Sequence, residues 1–153
     1  MKENSTAAGN LKHKHLLALV EKDAEVFEPL SKAYGLPKET DEEKAHKDKV
    51  MEEALKLANS VPLKIMEKAL EAIDLHEELA AKGTRIAISD VGVGVLFCKS
   101  ALMGASLNVY INTSLMKDKA FAEDTNKNAD RMIAEGSKKA DAIYAEVFKS
   151  IKS

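Results

Sequence analysis

Residues Ser89 to Asn112 read SDVGVGVLFCKSALMGASLNVYIN, and the fold turns on whether this stretch is a helix, a strand or a membrane span. As a helix, Asp90, Gly94, Cys98, Ala101, Ala105, Asn108 and Asn112 recur at steps of three and four and share one face. That face is nearly bare backbone, with a carboxylate at one end and two amides at the other. Small residues at this spacing let a second helix approach closely, and a buried Asn or Asp must find partners. From Leu107 to Asn112 the pattern also alternates, which is a strand signal. The further strand candidate, Arg85 to Ile88, is too short to build a sheet with it. Lys99, Ser100, Ser106 and Asn108 interrupt the apolar run, and lipid tolerates such groups badly. The helix is therefore the preferred reading.

Outward from this segment, the pattern predicts four more helices. Met1 to Asn10 is polar and reads as a loose start, with a helical domain over residues 11–153. Leu16, Leu17, Val20, Ala24 and Phe27 form the apolar face of a helix from Leu11 to Tyr34, which Pro29 should kink and Gly35-Leu36-Pro37 should end. Thr40-x-x-Glu43 reads as a capping box for a second helix running to about Ser60, with Val50, Met51, Ala54, Leu55 and Ala58 inward. Pro62 suits the first position of a third helix, with Ser60 before it and Ile65, Met66, Ala69, Leu70, Ile73 and Leu79 inward. The third helix stops at Gly83, Thr84 to Ile88 connects, and Ser89 or Asp90 is expected to cap the central helix. After a turn over Thr113 to Lys117, Asp118 can cap a last helix whose stripe runs through Ala129, Met132, Ile133, Gly136, Ala140, Ile143, Tyr144, Val147 and Ile151. The expected architecture is an all-α, up-and-down bundle of about five helices.

With 153 residues the chain can bury a real core as one domain. A net charge of −2 supplies no field that would draw it to nucleic acid or an anionic membrane. The single cysteine allows no intrachain disulfide, and the polar start MKENSTAAGN lacks the apolar core of a secretory signal. The expectation is a soluble cytoplasmic protein.

The chemistry on view is sparse. Phosphate-loop, nucleophile-elbow, zinc-protease and paired-cysteine motifs are missing from the sequence, and no metal site is expected. His13 and His15 lie in KHKH, which reads as a solvated basic face or an anchor for a polyanionic tail; His46 and His76 sit among charged residues and read as surface histidines. Cys98 reads as a small packing residue. Asp90 is the best candidate acid or base, with helix capping as the competing role. Asn108 and Asn112 read either as ligand-binding amides or as packed amides satisfied by helix ends. Asp90 and Asn108 face the same way but lie five turns apart, about 27 Å along one helix. An antiparallel pair of copies with its two-fold near Cys98 to Ala101 would bring Asp90 of one to Asn108 or Asn112 of the other, and Gly94 to Ala105. The alternative is that the small-residue stripe receives a helix of its own chain.

The central stretch, continuing to Leu115-Met116-Lys117-Asp118, resembles the cyclodeaminase domain of formiminotransferase-cyclodeaminase, a family that includes bacterial methenyltetrahydrofolate cyclohydrolases. The resemblance rests on Ser89, Asp90, Gly92 and Val93, then on Ala101, Leu102, Gly104, Ala105, Leu107, Asn108, Val109, Ile111 and Asn112. Asp23-Ala24-x-x-Phe27, Tyr34-x-Leu36-Pro37-Lys38 and Val61-Pro62-Leu63 add to it. The family's opening Gly/Ser-rich segment of the P-G-G-G-S type has no counterpart before Leu11. The resemblance implies an all-helical homodimer that acts on a tetrahydrofolate derivative as substrate, without a separate cofactor, and that works alone or beside a formiminotransferase. It implies either hydrolysis of 5,10-methenyltetrahydrofolate to 10-formyltetrahydrofolate or cyclisation of 5-formiminotetrahydrofolate with loss of ammonia. On that reading Asp90 is catalytic and Ser89, Asn108 and Asn112 bind substrate. The competing expectation is a non-catalytic helical dimerisation or folate-binding protein that keeps part of the site.

Overall fold

The structure, a computed structural model, describes residues 22, 24–82 and 87–153. Among these, five helices and no strands occur: α1 (24–34), α2 (Asp41–Ala58), α3 (Ser60–Lys82), α4 (Ile88–Leu115) and α5 (Lys119–Lys152). The stretch Ser89 to Asn112 lies entirely within α4, so the alternation from Leu107 onward is not a strand. The expected first-helix positions Leu16, Leu17 and Val20, and Asp23, lie outside the described residues.

Local signals explain most helix ends. The Thr40 hydroxyl accepts the Glu43 N–H at 3.1 Å, while the Glu43 carboxylate accepts the Thr40 N–H at 3.1 Å, closing the predicted capping box. Asp118 accepts the Phe121 N–H at 3.1 Å and caps α5, also as predicted. Other boundaries move. Helix α3 starts at Ser60 rather than around Pro62, because Asn59 already has helical torsions: its N–H donates to Leu55 and its carbonyl accepts from Leu63. Pro62 then falls inside the first turn, where a missing N–H costs little. Helix α4 runs three residues into the expected turn and ends at Leu115; the Thr113 and Ser114 hydroxyls bond back to the Tyr110 and Ile111 carbonyls.

Cross-helix contacts give the topology. Gly92 approaches Val147, Lys99 pairs with Asp141 at 2.7 Å, Tyr110 bonds Asp130 at 2.5 Å and Thr113 bonds Asn126 at 2.7 Å, so α4 and α5 run antiparallel. Gly94 against His76 and Asn112 against Asn59 make α3 antiparallel to α4 as well. The core between α3, α4 and α5 holds Met66, Ile73, Val95, Leu102, Val109 and Met132, each at most 1% exposed. Gly136 lets α5 close on this layer: a methyl group there would overlap Leu102 and Leu70. A second cluster, Leu30, Ala33, Ala54, Leu55, Ala58, Met116 and Ala122, fastens α1 and α2 to the α4–α5 junction.

Leu102 is fully buried at the meeting point of three helices. Leu102→Ala should cost about 2–5 kcal/mol, read as a fall in Tm of roughly 5–15 °C in a thermal melt. At the α4–α5 turn the Lys56 ammonium lies 2.6 Å from Asp118. That hydrogen bond first, and the Phe121 N–H second, hold the Asp118 carboxyl below the usual carboxylate range. A depressed folded-state value stabilises the fold at neutral pH, and this contribution is lost as pH falls through the depressed value. Asp118→Asn should therefore melt closer to wild type at acidic pH than at neutral pH.

Several residues expected inside are not. Phe27 is 56% exposed, and Leu79, Tyr144 and Ile151 are also exposed. Helix α4 is apolar on nearly every side, and among the described residues it alone has the length and composition of a membrane span. Its packing against α3 and α5 accounts for two of those sides. The third side carries Val93, Phe97, Ser100, Gly104, Leu107 and Ile111 on the surface, with Phe97 71% and Leu107 69% exposed.

Candidate functional site

Asp90 lies at the wall of a cleft. The expected cap at Ser89 or Asp90 is not what starts α4: Ala87 occupies the cap position with helical torsions and makes no side-chain cap bond. Helix α4 begins at Ile88, so Ser89 and Asp90 fall within the first turn. A carboxylate there still meets the positive end of the helix dipole. Asp90 is exposed and lines a cleft of about 310 Å³ with His76, Leu79, Ala87 and Val91. Ser89 is exposed beside it and does not line the cleft.

The second wall was not foreseen. His76, read from its acidic neighbours as a surface residue, is half-buried, and its Nδ1 lies 2.7 Å from the Ala72 carbonyl. A carbonyl oxygen only accepts, so Nδ1 carries a proton and donates it. The ring edge with Nε2 rests against α4 at Gly94, where any Cβ would overlap it. Gly94 is thus the sequence signal for His76: a glycine one turn after Asp90 marks a close approach.

The amides form a separate pocket. Asn108 and Asn112 line a space of about 150 Å³ with Val26, Phe27, Ala58, Pro62 and Ile111. Asn112 Nδ2 donates to Asn59 Oδ1 at 3.4 Å. Asn59 is 1% exposed, and its own Nδ2 has no hydrogen-bond partner among the described residues. Phe27, expected as a core ring, is a wall of this pocket. Asn59 was missed because its role depends on α4 lying across the α2–α3 joint.

The chain therefore brings Asp90 to His76, and Asn108 to Asn112, but leaves the two pairs about five turns of α4 apart. The small-residue stripe receives its own chain: His76 fills the space over Gly94, and Ala105 is buried in the core. Ala101 and Asn108 of the same stripe stay exposed. Cys98 packs against the same core, and burial pushes its thiol up, away from thiolate chemistry. The Tyr110 hydroxyl is pushed up to about 12 by burial and, next, by its bond to Asp130. Among the described residues no three His, Cys, Asp or Glu side chains converge as a metal site would need.

Comparison with known proteins places this geometry. Residues 1–131 match the sequence profile of the family described as formiminotransferase-cyclodeaminase. A methenyltetrahydrofolate cyclohydrolase from Methylorubrum extorquens is 42% identical over 138 residues, covering 90% of this chain and 64% of that protein. A formimidoyltransferase-cyclodeaminase from Mus musculus is 33% identical over 132 residues, covering 86% of this chain and 24% of that protein. The crystal structure of a formiminotetrahydrofolate cyclodeaminase from Thermotoga maritima superposes with a TM-score of 0.71 at 27% identity, covering 98% of this chain and 69% of that one. The present chain thus spans about two thirds or less of the length of these relatives, and its helices, its Asp90 segment and its matched residues agree on one assignment: it belongs to the formiminotransferase-cyclodeaminase family.

Proposed function

We propose that this protein is a one-carbon folate enzyme that hydrolyses 5,10-methenyltetrahydrofolate to 10-formyltetrahydrofolate. The observation that carries this reading is Asp90, a carboxylate in the first turn of α4 that lines a cleft open to water. The methenyl carbon sits between two nitrogens in an amidinium cation, and a fixed carboxylate stabilises such a charge. The similarity to a protein named as a cyclohydrolase supports the water reaction. The likeness to a solved formiminotetrahydrofolate cyclodeaminase favours a second reading, ring closure of the 5-formimino compound with release of ammonia. Both share the methenyl cation, so both use the same carboxylate. A non-catalytic folate-binding protein is the outcome if neither reaction occurs.

Asn108 and Asn112, with Phe27 beside them, suit the flat, hydrogen-bonding pterin ring or the folate amide. A homodimer unites the two pockets. The surface side of α4, not the stripe on Gly94 and Ala105, is the seam this reading uses: Val93, Phe97, Leu107 and Ile111 are apolar and exposed, with Ser100 and Gly104 between them. A formiminotransferase partner is a further proposal, supported by relatives named for both activities.

Methenyltetrahydrofolate is coloured, so its absorbance tests the reading. The purified chain should bleach the methenyl compound well above the uncatalysed rate, or generate it from the 5-formimino compound with release of ammonia. Binding without either change would leave the non-catalytic reading.

A further inference from the structure

Polar groups sealed inside a protein are paired as a rule, because leaving one unpaired costs more than a single amide hydrogen bond returns. Asn59 departs from that rule. It is 1% exposed at the joint of α2 and α3, and its Nδ2 has no partner among the described residues. An apolar side chain of the same branched shape would avoid that cost, so stability does not account for the amide. The backbone beneath it is fixed on both sides: the Asn59 N–H donates to the Leu55 carbonyl at 3.1 Å, and the Asn59 carbonyl accepts from the Leu63 N–H at 3.2 Å. From this rigid base the side chain reaches α4, where Oδ1 accepts from Asn112 Nδ2 at 3.4 Å.

Asn112 is the member of the pair that meets the pocket. It is half-buried and lines the space with Asn108 and Phe27, whereas Asn59 does not line it. An amide is planar, so holding Nδ2 also sets where Oδ1 points. That oxygen has no partner among the described residues and, unlike Asn59 Nδ2, is not sealed from the surface.

We propose that Asn59 is a positioning residue for the pterin ring of the folate; the assignment rests on the folate reading above. Asn59 grips the donor end of the Asn112 amide and leaves its acceptor end for the ligand. A pterin carries an amino group beside a ring N–H, a donor edge that an amide oxygen recognises. Phe27 gives the flat ring a wall. Without Asn59 the Asn112 amide turns freely and offers Nδ2 as readily as Oδ1, so the ligand must order it on binding.

The test uses the full chain, with tetrahydrofolate binding read by calorimetry and turnover by the methenyl absorbance. Asn59→Leu repeats the branched shape in carbon and removes the unpaired donor, so it should melt no lower than wild type. It should nonetheless bind tetrahydrofolate about three- to tenfold more weakly, the scale of one amide hydrogen bond, and raise KM for the methenyl compound by a like factor. Its kcat should stay within about twofold, the mark of a contact made equally in the ground and transition states. Asn59→Ala, which cannot crowd the site, should show the same loss of affinity below its own melting temperature. Asn112→Leu should lose at least as much, and combining it with Asn59→Leu should cost nothing further, because Asn59 acts through Asn112. Wild-type affinity in Asn59→Leu and Asn59→Ala overturns the assignment and leaves the folate reading standing. So does a double variant at least about threefold weaker than Asn112→Leu, which would put Asn59 itself on the ligand. A wild-type chain that neither binds tetrahydrofolate nor turns over either folate removes both the reading and this assignment.

Discussion

Asp90→Asn should lower kcat/KM for the methenyl compound by about 10²- to 10³-fold, the scale of losing one preorganised electrostatic partner of a reacting charge. The replacement keeps the shape and removes the charge. The fold should scarcely notice, because Asp90 is exposed and is not the N-cap of α4; the helix dipole contributes about 0.3–1 kcal/mol at such a position. How the loss divides between kcat and KM separates the two reactions. In hydrolysis the cation is present in the bound substrate and fades as water adds. The carboxylate then holds the ground state at least as well as the transition state, so much of the loss falls on KM. In ring closure the protonated formimino group enters as an amidinium and its charge passes to the methenyl bridge as ammonia leaves, so more of the loss falls on kcat. Steady-state kinetics on both folates, beside a thermal melt, measure this division. Unchanged kcat/KM for both substrates would take Asp90 out of the mechanism.

The fold was legible where the signals are local. Thr40 and Glu43 close their box, and Asp118 caps α5, because each bond spans three residues and needs no neighbour. The interior of α4 was legible because its small residues recur at helical steps. The start of α4 was not: Ser89 and Asp90 are both good caps, yet Ala87 takes the cap position without a side-chain bond. Periodicity also names a face without naming what covers it. The small-residue stripe was expected to suit either a second copy or a helix of its own chain, and at Gly94 it meets His76 of α3. Phe27 and Leu79 fit apolar stripes and nonetheless lie exposed at pocket edges. The site follows the same logic. Asp90 could be picked out because it is the one carboxylate between Glu78 and Asp118. His76 could not, because Asp74, Glu77 and Glu78 give it the look of a surface residue, and its partial burial is decided by a glycine on another helix. Asn59 was hidden for a similar reason: it is the C-cap of α2, and only α4 turns it into a buried amide beside Asn112.

If the chain pairs as proposed, Gly104→Leu should leave a folded monomer and take most of the activity with it. Gly104 sits midway along the surface side of α4, and a Cβ there meets nothing within 4 Å among the described residues. A leucine can therefore point outward from this side, and replacing a mid-helix glycine gains up to about 1 kcal/mol in helix propensity. In the proposed pair the same atom stands between two helix backbones, where Ser100 and Gly104 let the copies approach and Val93, Phe97, Leu107 and Ile111 close over the flanks. Antiparallel pairing centred near Ala101 puts Asp90 of each copy beside Asn108 and Asn112 of the other. The carboxylate and the amides then act on one folate, although they stand about 27 Å apart along a single α4. Four added carbons at the centre push the helices apart along their whole length, so the effect reaches both sites at once. Sedimentation at micromolar concentration reads the pairing, a melt reads the fold, and the methenyl absorbance reads the consequence. A monomeric wild type that is fully active would show that each chain completes its own site. A Gly104→Leu protein that still pairs would move the seam off this side of α4. Loss of pairing together with loss of turnover, in a protein that melts no lower than wild type, is the result that ties the two pockets together.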